Sequence, residues 1–216
     1  MIFINFKTYP EATGKRAIGL TQTCQKVQLA TGIKIKLGVQ AVDIALLSQQ
    51  VNLPIWAQHI DSVEPGRETG FITALAVQQT GAQGVFLNHS EHPLEFSQLT
   101  KTISLAKKAN LQTLVFVKDL TEAQKVNALK PDFLALEEPS LVSSGRAMVE
   151  FAEGKSKVRE FLKADFSSTL LIGAGISSKR DVEESVKLGA KGVVVSSAVV
   201  LSKNPQKILE ELARGF

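Results

Sequence analysis

Gly84-Val85-Phe86-Leu87-Asn88-His89-Ser90-Glu91 is a short apolar run that hands over abruptly to polar residues. It reads as a strand, Gly84–Asn88, with a histidine just past its C-terminal end. Two other apolar runs end in the same way. Ile2–Phe6 carries Asn5 and leads into Lys7, and Phe133–Glu137 ends on a carboxylate. A histidine, a carboxylate and an ammonium on three separate strand ends can converge in a parallel β/α barrel, where all strand ends open on one face.

Outward from these three, the same unit recurs along the chain. Further strands are expected at Ile35–Val39, Ile55–Gln58, Thr113–Val117, Thr169–Ile172 and Gly192–Ser196, each followed by a stretch of helical period. Phe96, Leu99, Ile103 and Ala106, for example, fall on one helical face. Strands this apolar, separated by helices, indicate a parallel sheet buried on both sides. Helix boundaries support the count: Ser178-Lys179-Arg180-Asp181 spells a capping box, and Asn204-Pro205 an N-cap followed by proline. Periodicity alone fits a closed barrel or an open doubly wound sheet. No linker or low-complexity tract interrupts residues 1–216, which read as one domain, and at 216 residues a barrel would need short loops.

Composition narrows the function. The 25 Lys and Arg against 21 Asp and Glu give a net charge of +4 without a basic run, which argues against a nucleic-acid or membrane partner. The single cysteine, Cys24, forbids an internal disulfide and lies on an apolar helical face with Ala17, Leu20 and Val27, where it is expected to be buried and inert. No apolar stretch is long enough to span a bilayer, and the first residues lack the form of a signal peptide, so a cytoplasmic location is expected. The three histidines have no ligand-like spacing, and neither a metal nor a cofactor is expected.

The last two strands carry the phosphate signal. Gly173-Ala174-Gly175-Ile176-Ser177 lies between a strand and a helix, and Ser196-Ser197-Ala198 follows the next strand. Glycine allows close backbone approach and helix-initial amides attract anions, so these loops suit a phosphate. Either loop alone could equally be a plain turn, and the glycines do not complete a dinucleotide fingerprint.

Taken in order, these segments resemble the triosephosphate isomerase family from end to end. The carriers are Asn5-Phe6-Lys7, Ala57-Gln58-His59, Asn88-His89-Ser90-Glu91, Ala135-Leu136-Glu137, Gly173-Ala174-Gly175 and Ser196-Ser197. Length and spelling are closest to the short, archaeal-type branch. The resemblance implies a single (β/α)8 TIM barrel that interconverts dihydroxyacetone phosphate and D-glyceraldehyde 3-phosphate through an enediol(ate). It also implies Glu137 as base, a neutral His89 polarising the carbonyl, Lys7 stabilising charge and Asn5 positioning the substrate; this enzyme is itself a worked case of such chemistry. Gly175, Ser196, Ser197 and the lid residues Val142 and Ser143 would meet the phosphate, and self-association as a dimer or tetramer would be expected.

The chain departs from the family's pattern at two places. Glu138 stands where the lid's hinge has a proline, and Ser143 where the lid has a glycine. Glu91-His92-Pro93 replaces the usual Glu-Arg-Arg, which bears on the subunit interface, whereas Thr69-Gly70 of the loop reaching into a neighbouring subunit is kept. His59 and His92 read as structural or surface residues. Glu138 is a competitor to Glu137 for the base. Two other functions stay in view: a different phosphate-binding barrel such as an epimerase, and a degenerate barrel that binds phospho-ligands without turnover.

Overall fold

The computed structural model of the chain describes residues 1–141 and 146–216. Eight parallel strands close on themselves in sequence order, and each pairs only with its chain neighbours until the last meets the first. They are β1 Ile2–Asn5, β2 Ile35–Val39, β3 Ile55–Ala57, β4 Gly84–Leu87, β5 Gln112–Val117, β6 Phe133–Leu136, β7 Thr169–Ile172 and β8 Gly192–Val195. Every expected strand is present, most of them a residue shorter at the C-terminal end, where the chain turns its polar residues into the mouth. The closed barrel resolves the choice against an open sheet.

Helices α1 Gly14–Thr31, α2 Ile44–Ser48, α3 Ala74–Gln79, α4 Phe96–Lys108, α5 Leu120–Asn127, α6 Ala152–Lys163, α7 Lys179–Leu188, α8 Ser197–Val200 and α9 Pro205–Ala213 lie between and after the strands. Both expected caps are made. Ser178 and Asp181 exchange the two bonds of a capping box, and the Asn204 side chain accepts from Lys207 N. No helix among the described residues is long and apolar enough to cross a membrane. Cys24 is buried, and burial pushes its thiol up to about 12.

Strand alternation divides the apolar residues into two layers. Ile2, Ile4, Val85, Leu87, Leu134 and Leu136 face the helices, whereas Phe3, Phe86, Phe133 and Ala135 face the barrel axis with Trp56, Leu114 and Phe116. The interior is a packed aromatic core. Two strand glycines make the room: a Cβ on Gly84 would stand 2.6 Å from the Trp56 ring, and one on Gly38 would overlap Phe86.

Two expectations are corrected. Leu99, Ile103 and Ala106 are buried on α4, but Phe96, the first residue of that helix, is 50% exposed. The connections are also not uniformly short, since residues 58–73 run between β3 and α3 with Glu64 to Phe71 exposed.

Candidate active site

The C-terminal mouth of the barrel holds a cavity of about 230 Å³. Asn5, Lys7, His89 and Glu137 form one side of it, and Gly175, Ser196 and Ser197 the other. These are seven of the nine residues singled out in the sequence. The other two, Val142 and Ser143, lie outside the described residues.

Strand parity delivers Glu137. Phe133 and Ala135 point to the axis, so Glu137 continues that face just beyond β6, held by its N–H to the Val117 carbonyl at 2.9 Å. The adjacent Glu138 turns the other way, toward α6, where its carboxylate lies 3.2 Å from Lys157 Nζ. Between the two candidate bases, the fold puts Glu137 in the cavity and Glu138 outside it.

His89 is buried against the Phe116 ring, centroids 4.7 Å apart in an edge-on contact. Its Nδ1 accepts the backbone N–H of Glu91 at 3.1 Å. An acceptor at Nδ1 places the proton of the neutral ring on Nε2, the nitrogen that faces Glu137. His89 Nε2 and Glu137 Oε2 are 3.2 Å apart, yet not aligned as a hydrogen bond, and Oε2 has no such partner among the described residues.

Burial dominates the electrostatics of this pair. It pushes the Glu137 carboxyl up to about 7, against the pull of the Lys7 ammonium. It lowers His89 to about 4, against the Glu91 carboxylate, so the imidazole is neutral near pH 7. A raised carboxyl beside a neutral imidazole N–H in a cleft is a combination suited to taking a proton from carbon and donating to oxygen.

Lys7 adopts the left-handed backbone region at φ 48°, uncommon for a side-chain-bearing residue. Two contacts hold it there. Its N–H donates to Asn5 Oδ1 at 3.0 Å, and its carbonyl accepts from Gln58 Nε2 at 3.0 Å. Its ammonium is 2.6 Å from Glu91 Oε1. The same Gln58 amide also reaches Asn5 Oδ1 at 3.2 Å and the Gly38 carbonyl at 3.1 Å. Gln58 is therefore the hub of this side, a role that the sequence does not assign to it. Its signal was the one used for Asn5, a polar residue at a strand's C-terminal end.

The wall formed by the loops after β7 and β8 presents backbone to the cavity. Ala174 and Gly175 both have positive φ, 56° and 74°. A Cβ on Gly175 would overlap the Arg146 carbonyl, so the loop after β7 packs directly on the chain at Arg146 and Ala147. Asp181 Oδ2 accepts the N–H groups of Ser177 at 3.0 Å and Ser178 at 2.9 Å, which fixes the end of that loop. Ser196 Oγ is buried with no hydrogen-bond partner among the described residues. No cluster of three metal-ligating side chains occurs among the described residues.

Comparison with known proteins is consistent across the chain. A family model described as triosephosphate isomerase matches residues 1–212. The triosephosphate isomerase of Methanocaldococcus jannaschii is 36% identical over 218 residues, covering 99% of each chain. That of Methanothermus fervidus is also 36% identical, with 98% of this chain and 96% of the relative covered. A crystal structure of triosephosphate isomerase from Bartonella henselae superposes with a TM-score of 0.71 over 92% of both chains at 17% identity, a likeness of fold.

Proposed function

Because this chain belongs to the triosephosphate isomerase family, an isomerase family, we propose that it interconverts dihydroxyacetone phosphate and D-glyceraldehyde 3-phosphate at the cavity described above. The observation that carries the assignment of roles is the facing of Glu137 and His89 in a cavity whose far wall is the Gly175 and Ser196–Ser197 backbone. The phosphate sits against those two loops and against Ser196 Oγ. Glu137 in its ionised form takes a proton from the carbon next to the carbonyl. The oxygen, as charge builds on it, meets the Nε2–H of neutral His89 and the ammonium of Lys7. His89 gives its Nε2 proton to that oxygen and takes one back from the hydroxyl on the neighbouring carbon, and Glu137 returns its proton to that carbon, so the exchange of aldose and ketose balances in atoms and electrons. A base with a pKa near 7 is half ionised near neutrality and still basic enough to act.

Self-association is proposed on exposed apolar residues of two mouth loops: Val42 after β2 is 82% exposed and Phe71 after β3 51%. The reading of the chain as one domain rests on the uninterrupted strand–helix order.

The test is turnover of D-glyceraldehyde 3-phosphate, with release of inorganic phosphate followed in the same sample. Glu137→Gln is expected to lower kcat at least ~10²–10⁴-fold, the usual worth of a positioned proton-transfer group, with affinity for a phosphate-bearing inhibitor such as 2-phosphoglycolate largely kept. Near-wild-type turnover in that variant would remove Glu137 as the base. Binding of 2-phosphoglycolate by a wild type that never turns over would leave a binding barrel in place of an enzyme.

A further inference from the structure

The loops after β3 and β4 meet through two histidines that the proposed reaction does not use. The rings of His59 and His92 are stacked, centroids 4.1 Å apart and planes 18° from parallel. On its far edge His59 Nε2 lies 3.3 Å from Asp61 Oδ1, and Asp61 is itself fixed by the Ile72 N–H to Oδ2 at 2.7 Å. His59 directly follows Gln58, the amide that holds Asn5 and Lys7. The N–H of His92 donates to the His89 carbonyl at 2.8 Å, closing the turn in which Glu91 N–H sets the His89 tautomer. The stack therefore joins the two backbone segments that aim Lys7 and His89.

We infer that the His59–His92 stack is a positioning element for the isomerase site: it holds the Ser90–His92 turn against the loop after β3 while no more than one of the two rings is protonated, and lets go when both are. The consequence for turnover rests on the isomerase reading; the stack itself does not.

The physics is that of two titratable rings sharing one face. A neutral ring can stack on a neutral ring or on an imidazolium, which gains from the neighbour's π face. Two imidazolium ions at this separation repel, and His59, half-buried, is only partly screened by water. The charged groups facing His59 are Asp61, which favours its protonated form, and His92, which opposes it. Burial opposes it more strongly still, and the net direction is downward. On the side of His92, the adjoining carboxylate of Glu91 is already engaged by Lys7 at 2.6 Å and stands 3.7 Å from His89 Nδ1. Since the folded protein disfavours the protonated His59, the stack's contribution is complete above the ordinary histidine range and is lost as pH falls below it.

The experiment combines an imidazole C2-proton NMR titration of the full chain with kcat measured over the same pH range, in wild type, His92→Gln and His92→Arg. The midpoint of His59 is expected to rise in His92→Gln, which removes the neighbouring charge. It should lie lower in His92→Arg than in His92→Gln, because that charge is then permanent. Wild-type kcat should show an extra acid step of roughly threefold to tenfold, the scale of one net hydrogen bond, that His92→Gln lacks. An unmoved His59 midpoint across the three proteins, or identical acid limbs in wild type and His92→Gln, would overturn the inference. A wild type with coupled titration but no turnover at any pH of the series would overturn the isomerase reading and the positioning role with it, while the coupled stack would stand.

Discussion

At the residue scale, burial moves the two facing side chains, Glu137 and His89, in opposite directions. Glu137 is raised by burial from 4.5 to about 7, and His89 is lowered by burial from 6.5 to about 4. These shifts act on stability with opposite signs. The folded state favours the protonated carboxyl of Glu137, so that contribution is full below 4.5 and drains away as pH rises to about 7. It favours the neutral ring of His89, so that contribution is full above 6.5 and drains away as pH falls toward 4. Over the shared window from 4.5 to 6.5 the slopes oppose, each at most about 1.4 kcal/mol per pH unit, and the wild type should be nearly flat. Glu137→Gln leaves only the histidine slope, so its stability should rise with pH across that window. His89→Gln leaves only the carboxyl slope, and its stability should fall. Denaturant midpoints at several pH values decide this, and the same slope in both variants would show that burial does not shift the pair. Glu137 was legible because period-two alternation carries a face along a strand and one residue beyond it. Gln58 was not, since its three acceptors come from Asn5, Lys7 and Gly38, which meet it only through the pairing of β1, β2 and β3.

Between elements, the decisive contact joins the loop after β7 to the chain at Arg146 and Ala147. Gly175 has φ 74°, and the carbonyl of Arg146 occupies the place a side chain would need. Gly175→Ala therefore meets two costs. A left-handed conformation is about 1–2 kcal/mol worse for alanine, and the clash is with backbone, which cannot rotate away as a side chain can. The loop must shift, and with it the N–H groups of the anion-facing wall. The expected result is a KM at least tenfold higher with a smaller change in kcat, because the Glu137–His89 pair stands on other elements. A KM within twofold of wild type would mean that this loop does not grip the substrate. The sequence marked this loop as a phosphate site from its glycines, but not why residue 175 in particular must be one. Its obstacle lies 29 positions earlier in the chain, at Arg146. The same limit applies to Phe96: helical period assigned it a face, while its 50% exposure depends on what packs against that end of the helix. Caps are purely local, and both were legible as spelled.

Across the whole molecule, the barrel interior and the site are one packed body. Trp56 and Phe86 have ring centroids 6.0 Å apart, Phe86 and Phe116 5.6 Å, and Phe116 and His89 4.7 Å, so aromatic contacts run from the middle of the barrel to the candidate electrophile. The eight strands could be found from apolar runs alone, because both faces of a parallel sheet are buried. Which strand glycines leave space for which rings could not be found that way, since it depends on register between strands. Gly38 is the sharpest case: its missing Cβ is where the edge of the Phe86 ring lies. Phe86 is hemmed in by Phe3 at 5.9 Å as well as by Trp56 and Phe116, so it cannot retreat without moving another ring. Gly38→Ala should consequently behave as overpacking and cost about 1–3 kcal/mol, a fall in Tm of roughly 2–12 °C for a chain of this size. Part of the strain would travel through Phe116 to His89 and lower kcat as well. Adding Phe86→Leu should give Tm back in the Gly38→Ala background while lowering it in the wild type, since the smaller side chain relieves a clash in one and leaves a cavity in the other. Thermal melts and kcat of the four proteins form a double-mutant cycle. Additive effects would show that residues 38 and 86 do not compete for the same space, and that the interior is looser than its aromatic contacts imply.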